Sequence, residues 1–239
     1  MNIKPFDLVI FDCDGVLVDS EPLDNIVFDQ IMREHGYELG EKACLKKHSG
    51  LTLPDRLATM SRELNWTPPA NFLDLFNKRL IALTEKELQA IPGIHSLIEN
   101  LSVPVCVASN GSREEIVLRL KVTRLTAYFG NAIFSGLEVP HPKPAPDVYI
   151  AAAKAFNTPP DRCIVVEDSI PGVIAAVRAG MRVYSHAAFT PSRTLREAGS
   201  IPFENMAELQ AILRHGQKYQ REIVPGFVSK SKVDIASQI

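Results

Sequence analysis

The stretch DLVIFDCDGVLVDS, residues 7–20, governs the reading of the whole chain. Leu8, Val9, Ile10 and Phe11 form an unbroken apolar run of strand length, the pattern of a strand covered on both faces in a parallel sheet. Asp12 then stands at the carboxyl end of that strand, Asp14 follows after one residue, and Gly15 permits a backbone turn that a side chain would hinder. Both carboxyls can therefore face one crevice outside the sheet. Two acids this close repel, so either one holds a proton, at a cost in stability, or a hard divalent metal sits between oxygen ligands. A calcium loop also opens with Asp-x-Asp, but it needs Asp or Asn at position 16, where this chain has Val16. A plain turn is the remaining alternative, and the rest of the chain decides it.

Outward from this stretch, the 239 residues are 46% hydrophobic and 23% charged, enough to bury one large domain or a core with a small insert. The net charge is −2, with no basic run and no interleaved aromatic stripe, which excludes the electrostatic footprint of a nucleic-acid binder or of a protein held to an acidic membrane surface. Small molecules are the expected partners, and the chain itself is expected to be a monomer or a weak homo-oligomer. Residues 1–6 run into the first strand without the apolar region of a signal peptide, and no apolar stretch approaches membrane-spanning length, so a cytoplasmic location with no membrane partner is expected. Cys13, Cys44, Cys106 and Cys163 lie far apart without CxxC spacing. Cys106 and Cys163 sit in apolar runs and read as buried thiols, and Cys13 reads as packing, with its side chain pointing away from the two acids; neither a disulfide nor a zinc site is expected.

Between Ser20 and Ala90 the periodicity is helical, with apolar residues at 26, 27, 28 and 31 and again at 73, 75, 76, 80, 81 and 83. Gly50, Pro54 and the Pro68-Pro69 pair punctuate this segment into about four helices. An insert at this point follows the acidic loop directly, so it can act as a lid that excludes water and touches the part of a substrate that does not react. After Pro92-Gly93 the rhythm becomes βα: a helix from about 94, strand 103–108, helix 112–121, strand 131–135, helix 145–156, strand 163–167, helix 171–179 and strand 182–185. The expected architecture is α/β, a doubly wound, Rossmann-like parallel sheet of about five strands with an inserted small α-helical cap domain. The core takes residues 1–18 and 91–215, the cap 19–90, and a polar tail 216–239, expected to be loosely attached or disordered, follows a terminal helix near 206–214.

The strand ends carry the chemistry. Ser109-Asn110-Gly111 offers a hydroxyl, an amide and an approachable backbone ahead of a helix whose amino terminus favours anions; it reads as a phosphate cradle or as an ordinary turn with Ser112 as helix cap. Lys143 is held between Pro142 and Pro144, with Pro144 suited to the first turn of a helix; it is either a positioned cation or a solvated loop lysine. Glu167 and Asp168 end an apolar strand and repeat the problem posed by Asp12 and Asp14, ion pairs with surface bases being the alternative, while Gly172 allows close packing of the next helix.

Acid, hydroxyl, cation and acid at successive strand ends form a specific constellation. The chain resembles the haloacid dehalogenase superfamily, in particular its phosphatase and β-phosphoglucomutase-like branch with a helical cap, through FDCDGVLVDSE (11–21), SN (109–110), KPAPDVY (143–149) and VVEDSIPGVIAAVRAGM (165–181). The resemblance covers about residues 7–186. It implies that Asp12 is a nucleophile that takes the phosphoryl group, and that Asp14 is the acid toward the leaving alcohol and then the base that activates water. It implies Mg²⁺ as cofactor, held by the Asp12 carboxylate, the Asp14 backbone carbonyl and Asp168, with Glu167 as a further ligand or an orienting neighbour. Ser109, Asn110 and Lys143 would hold phosphoryl oxygens, and Lys143 would keep Asp12 ionised. The six histidines lack metal spacing and read as surface or core residues.

The expected activity is Mg²⁺-dependent hydrolysis of small phosphate esters. Similarity to bacterial phosphatases of 6-phosphogluconate around residues 11–21, the SNG turn and the FSG segment at Phe134 points to sugar or sugar-acid phosphates. A sugar phosphomutase and a non-catalytic metabolite-binding protein are the alternatives. The mutase's cap histidine falls here at Asp24, and its cap arginine, with Gly50 as anchor, near Leu53, which argues for release to water; Lys46, Lys47, Arg56, Lys78 or Arg79 are the cap bases that could substitute, with a solvated helix face as their alternative. Ser20, Glu21 and Asp24 open the cap and are candidate substrate contacts, with helix capping and dipole compensation as their alternative role.

Overall fold

The structure is a computed structural model that describes residues 5–37 and 53–223, with 215–223 as backbone alone. A six-stranded sheet is built from β1 (Leu8–Phe11), β2 (Val105–Ser109), β3 (Ile133–Ser135), β4 (Cys163–Glu167), β5 (Arg182–His186) and β6 (Ile201–Phe203). All neighbours are parallel, in the order β3-β2-β1-β4-β5-β6. From β1 the chain steps outward through β2 to β3, returns to β4 on the opposite side of β1, and steps outward again. The direction of winding therefore reverses between β1 and β4, and open sheets of this kind bind ligands outside the strand carboxyl ends at such a reversal. Register brings the two acidic ends level there: Phe11 is paired with Val166, and the Asp12 amide donates to the Val166 carbonyl at 2.9 Å.

The side chains of β1 are wholly buried, as the unbroken apolar run requires. Leu8 and Ile10 share a cluster with Val165, Tyr149, Val173 and Ala176, and Phe11 meets Phe129 edge to face at 6.2 Å. Each such side chain contributes about 1.5–3 kcal/mol by leaving water.

Residues Ser20–Gln89 form a compact unit of their own, and the residues through Asp19 and from Ala90 form the other. In the smaller unit lie α1 (Glu21–Glu34), α2 (Leu53–Leu64) and α3 (Phe72–Glu87). The α1 residues Val27, Phe28, Ile31 and Met32, at helical spacing, share one core with Met60, Trp66, Phe72 and Phe76. Of the four helices anticipated here, these three are described; residues 38–52, with Cys44, Lys46, Lys47 and Gly50, lie outside the described residues.

The larger unit adds α4 (Ile94–Glu99), α5 (Arg113–Val122), α6 (Thr126–Phe129), α7 (Asp147–Ala155), α8 (Ile170–Arg178), α9 (Ser192–Glu197) and α10 (Met206–Ile223). Four details depart from the expectation. The sheet has six strands rather than five: β6 contains Pro202, which an interior strand would exclude and an edge strand tolerates. β3 starts at Ile133 rather than 131, because α6 ends at Gly130 in a positive-φ turn that occupies the preceding residues. The helix after Lys143 begins at Asp147, with Pro146 as its N-cap, so Pro144 lies outside its first turn. The terminal helix runs to Ile223, past 214 and into the segment read as tail, since Gly216 costs only about 1 kcal/mol in a helix interior and the residues after it are good helix formers. Residues 224–239 lie outside the described residues. Among the described residues no helix is long and apolar enough to cross a membrane.

Candidate active site

Lys143 is the hub of the site. Its side chain is 4% exposed, and its ammonium donates to Asp12 Oδ1 at 2.7 Å and to Glu167 Oε1 at 2.7 Å. The same ammonium lies 4.8 Å from the centre of the Tyr149 ring, and the Tyr149 hydroxyl donates to Glu167 Oε1 at 2.8 Å. The other Glu167 oxygen accepts from the Asp168 amide, the Ser169 amide and the Ser169 hydroxyl, each at 2.9 Å. Ser169 is also the N-cap of α8, its hydroxyl accepting from the Gly172 amide at 3.2 Å. Thus the start of α8 and the end of β4 enclose Glu167 completely, and a Cβ added at Gly172 would overlap its carboxylate.

The turn after β2 supports the lysine from the other side. The Asn110 amide clasps the Lys143 backbone twice, accepting from its N–H at 2.9 Å and donating to its carbonyl at 3.2 Å. Gly136 leaves the space the Asn110 side chain occupies. The buried Ser109 hydroxyl accepts from the Gly111 amide at 3.2 Å, and Ser112 and Glu115 close a reciprocal capping box at the start of α5. Asp14 projects differently from Asp12: its Oδ2 accepts from Arg119 Nη1 of α5 at 2.8 Å. The loop that carries it is fixed by His186, whose Nδ1–H donates to the Gly15 carbonyl at 2.8 Å, and by the absence of a Cβ at Gly15, where one would overlap Asp168.

Asp12, Asp14, Ser109, Asn110, Lys143, Glu167 and Asp168 thus belong to one unit and to one edge of its sheet. Ser20, Glu21 and Asp24 belong to the other unit. Ser20 occupies the N-cap position of α1 without a side-chain capping bond, and Glu21 and Asp24 lie in the first turn. Cys13 is buried, as a packing role requires. Tyr149, Ser169, Arg119 and His186 join the site without having been singled out from the sequence. Arg119 had a local signal, the 112, 115, 119 spacing that puts it on the helical stripe of the capping box. His186 and Tyr149 had none beyond their closeness to a strand end and to Lys143.

Ligand oxygens of Asp12, Glu167 and Asp168 lie within 4.8 Å of one another. Burial pushes the Asp12 carboxyl up to about 7, Glu167 and Asp14 push the same way, and Lys143 opposes them. Burial also drives Asp168 well up, reinforced by Glu167, Asp12 and Asp14. For Glu167 burial again works upward, but Lys143 and the donors from Ser169 and Tyr149 prevail and hold it below the usual range. Lys143 stays protonated: burial disfavours its charge, and Asp12 with Glu167 more than restores it. One ammonium does not balance this many buried carboxylates. A set of hard oxygen donors with surplus negative charge fits a hard divalent cation such as Mg²⁺. Asp12 and Asp168 are the residues best able to hold one, because the Glu167 oxygens are occupied by donors of the chain itself.

Residues 9–185 match the family described as haloacid dehalogenase-like hydrolase. The chain belongs to the haloacid dehalogenase-like hydrolases. The matched span runs from β1 into β5 and contains every strand end that contributes to the cluster. Over 204 residues this haloacid dehalogenase-like hydrolase is 29% identical to the 6-phosphogluconate phosphatase of Escherichia coli (strain K12), covering 85% of this chain and 92% of that one. Among solved structures, a conserved haloacid dehalogenase-like protein from Agrobacterium tumefaciens superposes with a TM-score of 0.80 at 33% identity, over 87% of this chain and 98% of that one. A hydrolase of the same family from Deinococcus radiodurans R1, with bound phosphate and sodium, superposes with a TM-score of 0.79 at 31% identity, over 90% and 98% of the two chains. The haloacid dehalogenase-like hydrolase described here is an enzyme, a phosphoric monoester hydrolase.

Proposed function

We propose that this hydrolase releases phosphate from small phosphorylated sugars or sugar acids, of the 6-phosphogluconate kind, by way of an aspartyl-phosphate on Asp12. The observation that carries the reading is the buried Lys143 ammonium, 2.7 Å from both Asp12 and Glu167. A lysine fixed this way favours the ionised form of Asp12 against burial and adds a positive charge where the phosphoryl group must sit. Asp12 attacks phosphorus while the bond from phosphorus to the ester oxygen breaks, and Asp14 gives that oxygen its proton. Asp14 then takes a proton from the water that attacks the phosphoryl-enzyme, which restores Asp12. Ser109 donates to a phosphoryl oxygen, and Asn110 serves by fixing the backbone of Lys143. Mg²⁺, held by the carboxylates of Asp12 and Asp168 with Glu167 orienting its neighbours, would supply charge neutralisation at the phosphoryl oxygens.

The 20–89 unit, entering the chain directly after the acidic loop, is assigned the role of substrate-selecting cap. By the sequence resemblance, with Gly50 as anchor, the mutase's phosphate-holding cap histidine and arginine fall at Asp24 and near Leu53, and this loss of cations favours release to water over return of the phosphoryl group to a sugar. The test is phosphate release from a panel of sugar phosphates, sugar-acid phosphates, phosphoglycolate and nucleotides, with and without Mg²⁺, beside Asp12→Asn. Release that needs Mg²⁺ and is lost in Asp12→Asn is expected. Conversion of β-glucose 1-phosphate into glucose 6-phosphate without release, or turnover that survives Asp12→Asn, would overturn the reading.

A further inference from the structure

Asp14 lies only two residues from Asp12, yet its carboxylate stands outside the group formed by Asp12, Glu167 and Asp168. What draws it aside is Arg119, whose Nη1 donates to Asp14 Oδ2 at 2.8 Å; the arginine side chain is 13% exposed and the aspartate side chain 37%. Arg119 is itself well placed to be rigid. It sits one turn beyond Glu115, the residue that closes the capping box, so it projects from the anchored part of α5. A Cβ at Gly111 would lie 3.4 Å from Arg119 Nη1 and 3.6 Å from Ser109 Oγ, so the guanidinium packs beside the turn that follows β2. Arg119 therefore ties the loop after β1 to the turn after β2, with Asp14 as the tied residue.

We propose that Arg119 is the positioning residue for Asp14, holding its carboxyl away from the neighbouring acid group and over the bond to the leaving oxygen. The inference rests on the phosphatase reading above. A short aspartate on a loop has several rotamers, and the cationic side of the neighbouring acid group, Lys143 and any cation held by Asp12 and Asp168, attracts a carboxylate as well. A guanidinium is a planar, always charged fork that fixes both distance and orientation. In the first step an Asp12 oxygen bonds to phosphorus, the phosphorus to ester-oxygen bond breaks, and the electron pair left on that oxygen takes the proton from Asp14. Arg119 donates its hydrogen bond to Asp14 and transfers nothing.

A positioning role of this kind depends on the leaving group. A nitrophenolate leaves without a proton, whereas a sugar alkoxide cannot. The experiment measures kcat/KM, which reports the steps through the first phosphoryl transfer, for p-nitrophenyl phosphate and for the best sugar phosphate of the panel, in wild type, Arg119→Ala, Arg119→Gln and Arg119→Lys. General acid catalysis contributes about 10²–10⁴-fold, so Arg119→Ala is expected to lose about tenfold or more on the sugar ester and to stay within about threefold on the aryl ester. Arg119→Gln reads the same split should the alanine variant not fold, and Arg119→Lys is expected to recover part of the loss. An equal loss on both esters would make Arg119 a phosphate holder or a purely structural residue and would overturn the inference, as would no loss on either. Turnover of neither ester by the wild type would overturn the phosphatase reading and this inference with it.

Discussion

Glu167 shows how a single side chain can be specified by what is missing next to it. Its carboxylate is fully buried, and donors from Lys143, Tyr149, Asp168 and Ser169 occupy both of its oxygens. The arrangement works only because residue 172 has no side chain. Gly172→Ala is therefore expected to push Glu167 off its donors, leaving Lys143 and the carboxylate buried and badly paired. Overpacking and a broken buried ion pair together cost about 3 kcal/mol or more. The urea midpoint, read with an unchanged slope, measures this, and a loss under about 0.5 kcal/mol would show that Glu167 can relocate freely and that its position is not set by Gly172.

At the scale of elements, α5 connects the turn after β2 to the acidic loop, and its amino terminus depends on Ser112 and Glu115 satisfying each other's backbone donors. Ser112→Ala is expected to cost about 1 kcal/mol, measurable by the same denaturation; an unchanged midpoint would mean that packing alone holds the first turn. Elements with a strong local pattern were legible from sequence. β1 and β4 read as strands because they are apolar throughout, and the acids at their ends followed from strand direction alone. β6 was not legible, because Pro202 argues against a strand unless its edge position is known, and α10 was read short because the residues after about 216 are polar and carry little helical periodicity. The candidate site divides in the same way. Asp12 and Asp168 directly follow strands and Lys143 is set between two prolines, so all three could be named, whereas the partner of Asp14 could not, since Arg119 is 105 positions away and no local period links the two. Asn110 illustrates the limit: its residue type suggested a phosphate contact, and what no sequence pattern announced is that its amide also bonds twice to the backbone of Lys143.

For the molecule as a whole, the acid group couples folding to pH and to metal. The Asp12 carboxyl is raised from 3.8 to about 7, and Asp168 is raised as well, in both cases first by burial. Below both values of Asp12 each state is protonated and the group contributes nothing. Between them the folded chain holds a proton that the unfolded chain has lost, so unfolding releases protons and stability falls as pH rises. Glu167 has the opposite sign: its carboxyl is lowered, so the stability it contributes is present above its unfolded value of 4.5 and is lost as pH falls through its folded value. Through Asp12, metal-free protein is therefore expected to lose stability as the pH rises from about 4 to about 7, and the raised Asp168 carries the loss in the same direction. A divalent cation binds the deprotonated carboxylates and only the folded chain presents them together, so its stabilisation must grow over the same interval. Thermal midpoints of chelator-treated protein, with and without millimolar Mg²⁺, should differ more at about pH 8 than at about pH 5. Equal shifts at both would mean that Asp12 and Asp168 are already ionised without metal, and that Lys143 alone balances the site.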